Sequence, residues 1–190
     1  PLFESYIAHL RENICEEIDT IYIVAPNTEK ELQKFCQEND LVFIDEVSVL
    51  GYGKNKISYT VNSINRNGWL FQQLLKLAGD TLAQNKKFAT VCSDTILINK
   101  QNFNDEGKDI FFENNEWNME YFKTFKKLFG YQAPHKLSLT SHMMIFDTQR
   151  LKEMKREIEL KHNSSWDAAY INCCNKNVSA GISDYETYAQ

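Results

Sequence analysis

The stretch from Thr20 to Glu46 is what most constrains this chain. Two short runs rich in β-branched and aromatic residues, "TIYIVAP" and "LVFIDE", flank a segment whose apolar positions recur at helical spacing. Pro26 ends the first run, and Thr28 with Glu31 has the spacing of a capping box opening a helix through Phe35. Strand, helix and strand in so short a span pack most economically as parallel strands with the helix laid across them. The expected fold is α/β, with a mixed, mainly parallel sheet flanked by helices.

The rest of the chain continues that rhythm. "LFESYIAHLRENICEEI" reads as an amphipathic helix, Ser48 to Asn67 as loop around Gly51 and Gly53, and "GWLFQQLLKLAGDTLAQ" as a second strong helix. A strand at "FATVC" and another at "DIFFEN" follow, then a helix "WNMEYFKTFKKLFG" closed by Gly130 and a long strand "LSLTSHMMIFD". Helices near "TQRLKEMKREIEL" and "WDAAYINCC" precede the tail "VSAGISDYETYA". No internal repeat or low-complexity linker interrupts this order, so residues 1–190 read as one domain. The chain opens on Pro1 and ends on "YETYAQ" without a polar tail, which reads as an excerpt from a longer protein with something missing at both ends.

Composition excludes several classes. With 190 residues, 43% of them apolar and 13% aromatic, the chain can bury a substantial core. A net charge of -5 with mixed signs offers no basic face for nucleic acid. There is no apolar run near the roughly 20 residues that span a bilayer and no signal-peptide pattern, so a cytoplasmic setting is expected. The five cysteines, Cys15, Cys36, Cys92, Cys173 and Cys174, include no C-x-x-C pair and suggest neither a disulfide framework nor a zinc knuckle.

The chemistry-bearing candidate is "FATVCSDTILINK", where an apolar run breaks into Ser93 and Asp94 before resuming. In open α/β sheets ligands bind beyond the carboxyl ends of strands, and a carboxylate there can hold a hard divalent cation against a diphosphate. An acid in this place also serves simply as a turn or cap residue. On the helix "GWLFQQLLKL", helical spacing sets Trp69, Gln72, Gln73 and Lys76 within a turn or two of one another; the same pattern is an ordinary amphipathic helix with its leucines in the core. The glycines of "GYGKNKISYT" lack phosphate-loop spacing.

Taken in order, "GWLFQQLLKLA", "VCSDTILI", "SHMMIFD", "SWDAAYI" and "SDYETYA" resemble a bacterial family catalogued as domain of unknown function 6492, which is similar to nucleotide-sugar transferases of the GT-A fold. The likeness runs from Pro1 to Tyr188. It implies a GT-A-like domain that moves a sugar from a nucleotide-sugar donor to a glycan, a lipid-linked acceptor or another hydroxyl, in surface polysaccharide synthesis at the inner face of the membrane. In such proteins an Asp-x-Asp motif holds manganese or magnesium against the donor diphosphate. Asp94 matches the second Asp and Cys92 stands in place of the first, so the motif is degenerate. The resemblance further implies donor contacts from Trp69, Gln72, Gln73, Lys76, Ser93, Asp94 and Ser141, and metal contacts from Asp94 and His142. It implies a catalytic base at Asp167 or Glu186, with Trp166 and Tyr185 available to stack on sugar faces. Ser164-x-x-Asp167 and Ser183-x-x-Glu186 also have capping-box spacing, and His142 also fits a hydrogen-bonded structural role. A non-catalytic nucleotide- or glycan-binding protein is the alternative that Cys92 favours. A hydrolase or phosphatase using Asp94 and His142 would need a nucleophile motif that the sequence lacks.

Overall fold

The computed structural model describes residues 2–190; Pro1 lies outside them. The chain forms two compact units, one from residues 2–53 with Val91–Ile110, the other from Lys54–Thr90 with Phe111–Gln190.

In the first unit the helix α1 (Leu2–Asn13) puts Tyr6, Ile7 and Leu10 on one face, where they bury together with Cys36 and Leu41. Phe35, Ile21, Ile23 and Phe43 pack around that cluster. The strand β1 (Tyr22–Ala25), helix α2 (Lys30–Glu38) and strand β2 (Val42–Asp45) form the expected strand-helix-strand unit, with β1 and β2 parallel from Tyr22↔Val42 to Ala25↔Asp45. The capping box does not form. Glu29 occupies the cap position without a side-chain bond, and Thr28 contributes only its carbonyl, to the Lys30 N–H at 2.9 Å.

Asp45 closes β2 and caps a short helix α3 (Glu46–Leu50) that overlaps the start of the region expected to be loop from Ser48, its carboxylate accepting from the Val47 N–H at 3.2 Å. Gly51 ends α3 with φ 74°, a left-handed conformation that a side chain would oppose. The returning segment 91–110 is held by an isolated parallel bridge between Ile14 and Gln101, with the Gln101 N–H donating to the Asn13 carbonyl at 2.6 Å and the Cys15 N–H to the Gln101 carbonyl at 2.9 Å, and by side chains. Asn13 donates to the Leu97 carbonyl at 2.7 Å, and the Glu16 carboxylate accepts from the Phe103 and Asn104 N–H groups at 2.6 and 3.0 Å.

The second unit opens with a hairpin, Thr60–Val61 against Ile64–Asn65, turned by Asn62 and Ser63 at φ 49° and 65°. Helix α4 (Asn67–Leu77) buries Leu70, Phe71, Leu74 and Leu77, each worth about 1.5–3 kcal/mol when fully removed from water. Strand β3 (Lys87–Val91) pairs with β4 (Met143–Asp147), and Phe88 stacks on Phe146 across the pair at 5.1 Å. Helices α5 (Met119–Phe129), α6 (Thr148–His162), α7 (Trp166–Cys173) and α8 (Asp184–Ala189) complete the unit. As expected, Gly130 closes α5, at φ 88°. Every residue of α8 is buried, and Tyr188 and Tyr185 lie 4.5 and 6.3 Å from the Phe146 ring.

This architecture corrects the fold expected from the sequence. Among the described residues the strands pair only two by two, and no mainly parallel, Rossmann-like or GT-A-like sheet is formed. "DIFFEN" contributes only Asp109 to a two-residue hairpin, and "LSLTSHMMIFD" is strand only from Met143. The physical reason lies in where the backbone bonds go. The Leu139 N–H donates to the Glu186 carboxylate at 2.6 Å, the Phe103 N–H to Glu16, and the Asp147 N–H to the Tyr188 hydroxyl at 2.7 Å. Side chains have taken the partners that neighbouring strands would have supplied.

Candidate functional site

In the first unit β3 ends at Val91 and the chain turns at once, the Thr95 N–H donating to the Cys92 carbonyl at 3.0 Å. The turn leaves Ser93 and Asp94 exposed and Cys92 half-buried. From α1, the buried Tyr6 hydroxyl points to this place and donates to the Val91 carbonyl at 3.4 Å. Burial first, then the negative potential of Cys92 and Asp94, pushes that hydroxyl up to about 12, so Tyr6 acts here as a neutral donor. Hard divalent cations are commonly held by one or two carboxylates together with substrate phosphates, and a thiol is not a ligand of that class. Asp94 supplies one accessible carboxylate, a donor set that fits a cation shared with a diphosphate.

In the second unit the polar edge of α4 is occupied by protein. Trp69 is half-buried, packed edge-on to Tyr59 at 6.1 Å and covered by the Arg66 guanidinium at 4.6 Å. Gln73 is buried, its carboxamide oxygen accepting from the Tyr170 hydroxyl at 2.8 Å and from the Asp184 N–H at 3.0 Å. Lys76 forms an ion pair with Asp184 at 3.4 Å and lies over the Tyr185 ring at 4.3 Å. Gln72 alone of the four faces solvent. The structure therefore brings Gln73 and Lys76 together around Asp184, a residue that sequence reasoning passed over in favour of its neighbours Tyr185 and Glu186. The signal for it was thin: an acid directly after a helix-capping serine looks like a first-turn residue answering the helix dipole.

Tyr185 and Glu186 are likewise structural in their contacts. The Tyr185 hydroxyl lies 3.1 Å from the Thr90 hydroxyl. Glu186 is buried, with one carboxylate oxygen accepting from the Leu139 N–H and, at 3.4 Å, the Thr140 hydroxyl, and the other from the Gln190 amide at 2.9 Å. Ser183 caps the Glu186 N–H at 3.2 Å, as the capping-box spacing indicated.

At the start of α7 the Ser164-x-x-Asp167 box is not formed. Ser165 holds the cap position without a side-chain bond, and the Glu159 carboxylate takes the Trp166 N–H at 3.2 Å. Trp166 carries the Lys155 ammonium over its ring at 4.6 Å, and Lys155 is paired with the buried Asp80; burial pulls the Lys155 ammonium down and Asp80 opposes it. Asp167 is half-buried in the first turn. Ser141 donates to the Met143 carbonyl at 2.5 Å, and His142 is exposed in the loop before β4.

A family model described as a family of unknown function (DUF6492) matches residues 2–189. No curated protein and no solved structure matches the chain. No helix among the described residues is long and apolar enough to cross a membrane.

Proposed function

This chain belongs to the DUF6492 family, and from the likeness of its motifs to nucleotide-sugar transferases, together with the exposure of Asp94, we propose that it transfers a glycosyl group from a nucleotide-sugar donor to a hydroxyl acceptor. One observation carries the reading. Strand β3 stops at Val91 and delivers Asp94, exposed, on a tight turn that Tyr6 buttresses from beneath. Such a carboxylate suits a manganese or magnesium ion bridging to a donor diphosphate, with remaining ligands from water and phosphate oxygens. Glu186, one of the two acids considered for the acceptor proton, is committed to the backbone at Leu139.

The Cys92 thiol, standing two residues before Asp94, favours a second reading, in which the protein binds a nucleotide or glycan without transfer. Calorimetric titration with nucleoside diphosphates, with and without manganese, tests the shared part of both. Metal-dependent binding abolished by Asp94→Ala supports a donor site; binding indifferent to metal and to the substitution overturns it. A product assay with a labelled sugar nucleotide then separates transfer from binding.

A further inference from the structure

Residues 113–118, ahead of α5, form a surface segment tied down at three points. The Asn114 N–H donates to the Ser138 carbonyl at 2.8 Å, the Ser138 hydroxyl to the Glu116 carbonyl at 2.5 Å, and the Asn118 amide to the Ala180 carbonyl at 3.1 Å. Asn118 also caps α5, accepting from the Glu120 N–H at 3.0 Å. One residue before that cap, Trp117 lies flat on Phe122, with ring centroids 4.2 Å apart and planes 16° from parallel. An apolar residue just before a helix cap and another in the helix's first turns form a hydrophobic staple, which fixes how the chain enters the helix. A staple uses one face of its outer residue, and an aliphatic side chain suffices for it. Trp117 is 47% exposed, so the second face of its ring is left to solvent. Glu113, Asn115 and Glu116, next to it in the chain, are exposed as well.

We propose that Trp117 is a stacking platform for a neutral glycan, with Asn115 and Glu116 bonding the sugar hydroxyls. A pyranose ring has C–H groups across its faces and hydroxyls round its rim, so it is matched by a flat apolar surface edged with amide and carboxylate groups. The carboxylates of Glu113 and Glu116 accept hydroxyl protons, and they disfavour a nucleic acid, an anionic polysaccharide or an anionic bilayer at the same place. The tethers bear on affinity too. A platform already fixed by Ser138, Ala180 and Phe122 loses little conformational entropy when a ligand settles on it. This face belongs to the second unit, and glycan binding there requires neither Asp94 nor a metal.

The test follows the Trp117 indole N–H by NMR, and affinity by calorimetry, as the protein is titrated with hexasaccharides of the cello, malto, xylo and chito series without nucleotide or metal. At least one series should shift the indole signal saturably, and Asp94→Ala should bind it as the wild type does. Trp117→Leu keeps an apolar staple against Phe122 but offers no ring face. It should weaken binding about tenfold or more while leaving the melting temperature close to that of the wild type. An indole signal that ignores all four series overturns the proposal, and so does a glycan that binds Trp117→Leu as tightly as the wild type. A shift given only by anionic vesicles or by a basic peptide overturns it as well, by assigning the face to another partner. If Trp117→Leu does not fold, Trp117→Phe, with its smaller ring on the same staple, should bind several-fold more weakly than the wild type, and equal affinity overturns the platform.

Discussion

The turn Cys92–Thr95 and the helix α8 both present acids in a short, local motif, and they use them in opposite ways. Asp94 is exposed, and the turn that carries it is closed by backbone, the Thr95 N–H to the Cys92 carbonyl. Asp184 and Glu186 are buried, and neighbouring segments are organised around them. An acid of the first kind is free to meet a ligand and contributes little to the fold; one of the second kind is difficult to remove without loss of structure. Buried acids also differ among themselves. Glu186 has a donor on each oxygen, whereas Asp184 keeps one oxygen without a hydrogen bond, and a desolvated carboxyl left so is retained at some cost in stability.

The contrast breaks most readily at the segment that leads into α8. A Cβ at Gly181 would lie 2.0 Å from the Asn175 carbonyl oxygen, and the same glycine receives the Thr124 hydroxyl on its carbonyl and donates its N–H to Tyr59. Gly181→Ala should lower stability by about 4 kcal/mol or prevent folding of the second unit, read by chemical denaturation. Next, Lys155→Met leaves Asp80 buried and unpaired and should cost about 3–5 kcal/mol, while the double change Lys155→Met with Asp80→Leu should recover most of it. Little loss in the single variant would show that the pair tolerates water.

Glu186→Gln keeps the shape but weakens the acceptor for Leu139, and a loss of about 1–3 kcal/mol is expected. A variant as stable as the wild type would return Glu186 to the list of functional acids. The pH dependence sharpens the comparison further. Because the folded Asp184 carboxyl titrates above its unfolded value, the stability it contributes is fully present below the unfolded value and is lost as pH rises through the folded one. The part of the melting-temperature profile due to Asp184 should fall with rising pH in that window and vanish in Asp184→Asn. The smallest effect belongs to the exposed acid: Asp94→Asn should change stability by less than about 0.5 kcal/mol while removing metal-dependent nucleotide binding. A large stability loss there would erase the distinction between the two regions.

Much of the local structure was legible residue by residue. The helical spacing in "GWLFQQLLKL", the glycine after "KKLF" and the serine before "DYET" each produced the element or cap they indicated. The pairing of strands was not legible. "LSLTSHMMIFD" has a strand's composition throughout, but its first half finds the Glu186 carboxylate and an isolated bridge from Asn114 to Ser138 instead of a continuous ladder. The same holds for the candidate site. Asp94 could be located by its place after an apolar run, whereas nothing in the order of residues says that Gln73 and Lys76 close upon Asp184, 111 residues after Gln73.

What the sequence determined by itself is what short-range forces decide: that the main helices form and that α5 stops at Gly130, the parallel pair β1–β2 around α2, the exposed turn at Asp94 and membership of the family. Only the tertiary structure decided which backbone groups pair with strands and which with Glu16, Glu186 and Tyr188, and which polar residues of α4 are left to solvent. The physical reason is that a buried donor or acceptor must find some partner, and several partners satisfy it almost equally well. Which one is taken depends on segments far away in the chain, and no local pattern records that choice.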